Sequence, residues 1–353
     1  MIMDNIFDID IQAAVLYGLN KPLVIDQIRV KELLEGQVFV KIYFSGVCRS
    51  QLMEARGSRG FDPWLPHLLG HEASGEVIAV GKGVTKVKVG DKVILGWIKG
   101  DGIDANGAKY INKKGEIINS GKVTTFSNYS VVSENRITKL DVDIPRDVAV
   151  LFGCALPTGA GIVYNELKPK ENENIAIVGL GGIGLSALMA LNEYNLNKII
   201  AVDISKEKLE YAIKLGATDT LNPLDKKFEE KKLKLLNKGV DGCVESGGKI
   251  ESIELGISLL KNTGRMYFAS HPENGKKISI DPFELISGKK IFGSWGGAYD
   301  PEKDIVRLSS NFKRGNYPVD ELIKKRYTLN EINNALDDLE KGVVFRPLIK
   351  MNH

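Results

Sequence analysis

Cys48, His71 and Cys154 are the side chains in this sequence best suited to chemistry. They stand in the contexts Gly46-Val47-Cys48-Arg49-Ser50, Gly70-His71-Glu72 and Gly153-Cys154. Two thiolates and one imidazole, with a fourth position left for water or substrate, make a catalytic zinc site. Thiolate ligands suit the borderline softness of zinc. The three lie far apart along the chain, so no local spacing joins them. Each also has a plainer reading: a free Cys is often a small buried hydrophobe, and a single His can be a hydrogen-bonded core residue.

A second chemical signal follows Cys154. The apolar run Ile175-Ala176-Ile177-Val178 leads into a Gly-x-Gly-x-x-Gly turn spanning Gly179, Gly181, Gly182, Ile183 and Gly184. The first glycine permits a tight turn, the second lets backbone approach a pyrophosphate, and the third lets helix and strand pack closely. The helix that starts there offers free N–H groups and a favourable dipole to phosphate. Nineteen residues after Gly184, Asp203 ends a second apolar run, the place of the acid that binds the adenosine ribose hydroxyls. A carboxylate there repels a 2′-phosphate, so NAD is expected over NADP. A Lewis-acid metal together with a dinucleotide points to hydride transfer on an alcohol or carbonyl.

The elements that must position these residues fall into two kinds. In the first 150 residues, Val38, Val40 and Ile42 alternate with Phe39, Lys41 and Tyr43, the period of a half-buried strand. Val77–Val80 and Lys92–Leu95 read as further strands between glycine turns. From about residue 172, strands alternate with helices. Helical stripes carry Leu185, Leu188, Met189 and Leu191, then Leu209, Ala212, Ile213 and Leu215. Strands recur at Ile199–Asp203, Cys243-Val244 and Met266–Phe268. This alternation predicts a doubly wound parallel sheet, with core packing the simplest role for Cys243. Helices are expected near 301–313 and 330–341, and then a final strand.

A chain of 353 residues fits two domains. Lys plus Arg (48) nearly balances Asp plus Glu (45), which excludes an electrostatic nucleic-acid or membrane surface as the expected partner. No apolar stretch approaches a membrane span, and no basic-then-apolar leader is seen. Three cysteines make no disulfide framework, and metal-binding thiolates require reducing conditions. The expected location is the cytoplasm.

The motifs Gly70-His71-Glu72-Ala73-Ser74-Gly75, Gly90-Asp91-Lys92-Val93, Cys154-Ala155-Leu156-Pro157-Thr158-Gly159 and Gly179–Leu185 resemble, in order and placement, the zinc-dependent alcohol dehydrogenases of the medium-chain dehydrogenase/reductase superfamily. The resemblance runs from Ala13 to Leu348. It implies an α/β protein: a small-chaperonin-like β catalytic domain (1–156) and a Rossmann coenzyme domain (157–294), with 295–353 returning to the first. It implies one catalytic zinc on Cys48, His71 and Cys154, and an alkoxide mechanism in which zinc lowers the pKa of the bound alcohol. Ser50 matches the hydroxyl that takes the substrate proton, and Glu72 a carboxylate behind the metal. Arg49 and Arg346 match pyrophosphate contacts, Thr158 a residue packed on the nicotinamide, and Lys208 one that reaches the adenosine ribose. A homodimer or homotetramer is implied, its coenzyme sheets joined edge to edge near Lys290–Trp295.

The sequence also departs from that family. Met53 stands where a relay histidine is common, leaving the proton exit open, with His67 a weak candidate. Gln51 replaces an acid that often supports the ligand His. Residues 98–125 contain no Cys, so the lobe that holds a structural zinc in the family must be organised otherwise. The loop from Leu52 to Leu69 should border the substrate and carries Arg56, Arg59, Phe61, Trp64 and His67. Two arginines there suit an anionic or polyhydroxylated substrate as readily as a solvated rim. Competing functions are a zinc-independent quinone or enone reductase and a dinucleotide-binding protein without turnover.

Overall fold

The computed structural model describes residues 8–140 and 143–353; residues 1–7 and 141–142 of the expected first domain lie outside it. The chain forms two compact units. One comprises Met1–Cys154, Asp300–Ser309 and Val319–His353, and the other Ala155–Tyr299 and Ser310–Pro318.

The first unit is β-rich. Ile11–Leu16, Val24–Val30, Lys109–Asn112, Ile117–Asn119 and His67–Leu68 close a small barrel. A second sheet runs in the order Ile137–Lys139, Lys92–Leu95, Ala73–Val80, Gln37–Gly46, Leu348–Lys350 and Arg326–Thr328, and Tyr129–Ser133 also pairs with Gln37–Gly46. The alternation predicted around residue 40 has its physical origin here. Val38, Val40 and Ile42 enter one core with Val77, Val93 and Leu95, whereas Phe39 enters another with Tyr110 and Val131. The strand is therefore buried on both faces.

The cysteine-free segment 98–125 is organised by pairing and by one carboxylate. Lys109–Asn112 and Ile117–Asn119 form an antiparallel hairpin that helps close the barrel, with Tyr110 fully buried. Buried Glu134 accepts the backbone N–H groups of Thr85 (2.6 Å), Lys86 (2.7 Å) and Ile103 (2.7 Å). Asp104 pairs with Lys122 at 2.7 Å. These contacts hold the segment by hydrogen bonds and hydrophobic burial.

The second unit is a six-stranded parallel sheet in the order Asp219–Leu221, Lys198–Val202, Asn174–Val178, Val240–Glu245, Leu260–Phe268, Lys290–Gly293. Its near-continuous Val and Ile runs suit strands covered on both faces. Ala176, Ile200, Val202, Cys243 and Met266 share one core with Ile253 and Ile257 of the helix Ile250–Leu259. Cys243 is buried there, and burial pushes its thiol up, as packing and not chemistry requires. No single helix among the described residues is long and apolar enough to cross a membrane.

Candidate functional site

Cys48 follows the strand Gln37–Gly46 and caps the short helix Arg49–Ala55. His71 sits in the turn before Ala73–Val80, whose pairing of Ala73 with Ser45 draws the two segments together. Two glycines make the approach possible. A Cβ on Gly46 would lie 2.1 Å from a Glu72 carboxylate oxygen, and one on Gly153 would lie 2.2 Å from the Leu95 carbonyl oxygen and 2.9 Å from the Glu72 Cβ. Gly153 thereby delivers Cys154. The ligand atoms of Cys48, His71 and Cys154 lie within 4.8 Å of one another, with His71 Nε2 at 3.2 Å from Cys154 Sγ.

The neighbours of this cluster are specific. The Gln51 amide contacts His71 Nδ1, while its Oε1 accepts the Cys48 N–H at 2.8 Å. Gln51 thus ties two candidate ligands together, so replacing an acid here still leaves the imidazole supported. Glu72 and Arg346 form an ion pair, and both side chains are buried. Burial pushes Glu72 up, and the Arg346 charge pulls it down. The two thiols are tightly coupled. Donation from Cys154, with Arg346 nearby, holds Cys48 well below the ordinary thiol value, and the same contact and burial hold Cys154 well above it.

Ser50 lies on the helix after Cys48, its hydroxyl buried and without a hydrogen-bond partner. Arg49 is exposed. Met53 is buried and apolar. His67 is fully engaged, Nε2 with Asp62 at 2.7 Å and Nδ1 with the Leu68 carbonyl at 3.0 Å. Arg56 is paired with Asp337 and with Glu340 (3.0 Å), and Arg59 with Glu54 (3.4 Å). Both arginines thus have carboxylate partners within the protein. Phe61 and Trp64 are exposed.

In the second unit, Gly179 adopts φ +88° and a Cβ there would meet Gly247 N at 2.6 Å, so this turn requires glycine. At Gly184 a Cβ would strike the Gly179 carbonyl oxygen at 1.9 Å, whereas one at Gly181 meets nothing within 4 Å. Gly181 caps the helix Gly182–Leu191, whose first N–H groups, those of Gly182, Ile183 and Gly184, have no partner within the helix, as at any helix start. Asp203 accepts the N–H of Leu180 (2.7 Å) through Oδ2 and of Ser205 (2.9 Å) through Oδ1. Lys208 lies on the helix Lys206–Lys214. Thr158 lies on Ala155–Gly161, its hydroxyl buried and without a hydrogen-bond partner.

A sequence family described as alcohol dehydrogenase GroES-like domain matches residues 34–142, and one described as zinc-binding dehydrogenase matches 182–311. The benzyl alcohol dehydrogenase of Acinetobacter calcoaceticus is 30% identical over 98% of this chain and 100% of its own, with a TM-score of 0.87. This chain belongs to the zinc-dependent alcohol dehydrogenase family. An alcohol dehydrogenase zinc-binding domain protein from Burkholderia ambifaria is 28% identical over 98% and 100% of the two chains (TM-score 0.89). An alcohol dehydrogenase from Thermotoga maritima shares the fold at 21% identity over 98% and 100% (TM-score 0.81). Like other zinc-dependent alcohol dehydrogenases, this member is an oxidoreductase whose GroES-like domain accompanies a Rossmann sheet.

Sequence reasoning missed two features of this family member. Gln51 was legible only as a departure, because its partner is twenty residues away in sequence. Glu245, at the end of the parallel strand Val240–Glu245, is the other. An acid closing an apolar strand just before Ser246-Gly247-Gly248 was the available signal.

Proposed function

We propose that this oxidoreductase transfers hydride between an alcohol, or its aldehyde or ketone, and NAD(H), with one zinc held by Cys48, His71 and Cys154. The observation that carries this reading is the convergence of two sulfurs and one imidazole within 4.8 Å. Three protein donors are the complement of a catalytic zinc site, whose fourth position is open. Bound there, zinc would supply Lewis-acid polarisation of the substrate oxygen, and the nicotinamide would supply the hydride acceptor or donor.

The chain's own residues have defined tasks in this reading. Gln51 orients His71 and fixes the Cys48 backbone. Glu72 and Arg346 set the charge around the thiolates. Ser50 Oγ, buried and without a partner, is free to take the proton of a substrate hydroxyl. Apolar Met53 does not pass that proton on, and His67 holds Asp62 at Nε2 (2.7 Å).

For the coenzyme, Gly181 and the N–H groups of Gly182, Ile183 and Gly184 would hold the pyrophosphate, with exposed Arg49 as a further cation. Asp203 would take the ribose hydroxyls and disfavour a 2′-phosphate; Lys208 would assist it, and Thr158 would pack on the nicotinamide. Among the described residues, the strand Lys290–Gly293 ends its sheet with no further strand paired to it, and Phe283, Ile286 and Phe292 are exposed. A second copy of the chain covering that edge accounts for it, and a homodimer is the proposed minimal assembly, in the cytoplasm.

Metal analysis combined with a panel of alcohols, read by NADH absorbance, tests the function. Zinc with NAD-linked oxidation of an alcohol is the expected result. Turnover of a quinone or enone by metal-free protein would replace this reading with a zinc-independent reductase.

A further inference from the structure

One side chain links the loops on the far side of the coenzyme sheet from Asp203. Glu245 closes the strand Val240–Glu245 and is 0% exposed. Its Oε1 accepts the N–H groups of Gly247 (2.7 Å) and Gly248 (3.2 Å) and the hydroxyl of Ser252 (2.7 Å). Its Oε2 accepts the Ser270 hydroxyl at 2.8 Å, and Ser270 Oγ in turn accepts the Gly248 N–H at 2.9 Å. A buried carboxylate persists only where its lone pairs are filled. Here four donors fill them, all from segments that leave the carboxyl ends of two neighbouring strands.

Those segments abut the phosphate turn. Ser246 donates its N–H to Val178 O (2.8 Å) and its hydroxyl to Gly179 O (2.7 Å). The Gly247 backbone is the atom a Cβ on Gly179 would strike. In the strand order, Asn174–Val178 has Lys198–Val202 on one side and Val240–Glu245 on the other. The direction of winding reverses between them, and a dinucleotide lies across such a switch point with one mononucleotide on each half. The half with Asp203 takes the adenosine mononucleotide. Residues 246–248 and 269–270 form the rim of the other half.

We propose that Glu245 is a positioning residue for the nicotinamide mononucleotide: its carboxylate fixes the loops after Val240–Glu245 and Leu260–Phe268 in one conformation before coenzyme arrives. This rests on the dinucleotide reading above. Glu245 itself is enclosed, so it acts through Gly247, Gly248 and Ser270 and not by contact with coenzyme. Preorganised loops bind more tightly because less conformational entropy is lost on binding.

The test uses the full zinc-loaded chain and compares NADH with ADP-ribose, which lacks the nicotinamide. In Glu245→Ala, NADH should bind about tenfold more weakly or worse, as loss of preorganisation predicts, and the nicotinamide emission change on binding should shrink. ADP-ribose affinity and zinc content should stay at parental values. Glu245→Gln should recover most NADH affinity, since its amide oxygen accepts the same N–H groups and the Ser270 hydroxyl can rotate to accept from its NH2. Should Glu245→Ala not fold, Ser270→Ala removes one tie and should give a smaller loss confined to NADH. Equal weakening of NADH and ADP-ribose, or no change in either, would overturn the proposal. If the unsubstituted chain binds neither, the dinucleotide reading fails with it; if it binds both and the variants behave alike, only the role of Glu245 fails.

Discussion

Arg346 lies against Glu72 as an ion pair, with both side chains buried and the charge of each felt by Cys48. The family resemblance matches Arg346 to a pyrophosphate contact, yet here its guanidinium already has a carboxylate partner. The close fit depends on Gly46, which leaves room for the Glu72 carboxylate. Taking one partner from a buried pair strands the other charge and costs about 3–5 kcal/mol. Arg346→Leu should therefore lower stability strongly in urea unfolding, and the double change Arg346→Leu with Glu72→Leu should regain much of it. A single variant with unchanged stability would mean that the pair is not formed in solution.

Purified protein should contain about one zinc per chain, following the three-donor site and the absence of cysteines from 98–125. Cys48→Ser or Cys154→Ser should lose the metal and the activity while NADH fluorescence titration stays near parental. Two tightly held zinc ions per chain would contradict this.

Asp203→Ala should weaken NAD binding at least about tenfold, each charge-assisted hydrogen bond being worth roughly 1.5–3 kcal/mol. Its preference over NADP should also narrow. Because Asp203 also accepts the Leu180 N–H, the glycine turn should loosen as well. Hydrogen exchange at residues 179–184 reads that second effect separately.

Acid should loosen the segment 98–125. Burial pushes Glu134 up, but the N–H groups of Ile103, Lys86 and Thr85 outweigh it and hold its carboxyl below the ordinary value. Asp104 is lowered by Lys122 first. A lowered carboxyl contributes stability that is present above its unfolded pKa, about 4, and is lost as pH falls through the folded one. Stability should thus decline below about pH 4. Glu134→Gln should flatten that decline, and at neutral pH it should cost about 1–3 kcal/mol by facing an NH2 toward a buried donor. Urea midpoints from pH 7 to pH 3 check both effects.

Light scattering at micromolar concentration should give about twice the 38.8 kDa chain mass. Lysine at exposed Phe292 and Ile286 should lower that mass, since charges on an open edge oppose strand pairing. A single-chain mass for the unsubstituted protein would rule out the dimer.

The sequence by itself determined the elements and the families of chemistry. Period-two alternation around residue 40, the apolar run before Gly179 and the spacing to Asp203 are local patterns, and the strands and helix they predict are present. The glycine turn was legible because backbone geometry restricts that position to one residue type. Tertiary structure alone decided the partnerships. Gln51 with His71, Arg346 with Glu72, Arg56 with Asp337, and Glu134 with three backbone N–H groups all join residues brought together by sheet register and burial. No periodicity encodes such pairs. A buried charge takes whichever complementary group the packing delivers, and that depends on the whole chain's path. For the same reason the sequence left Arg56 and Arg59 open between substrate contacts and a solvated rim, and the fold gives both carboxylate partners.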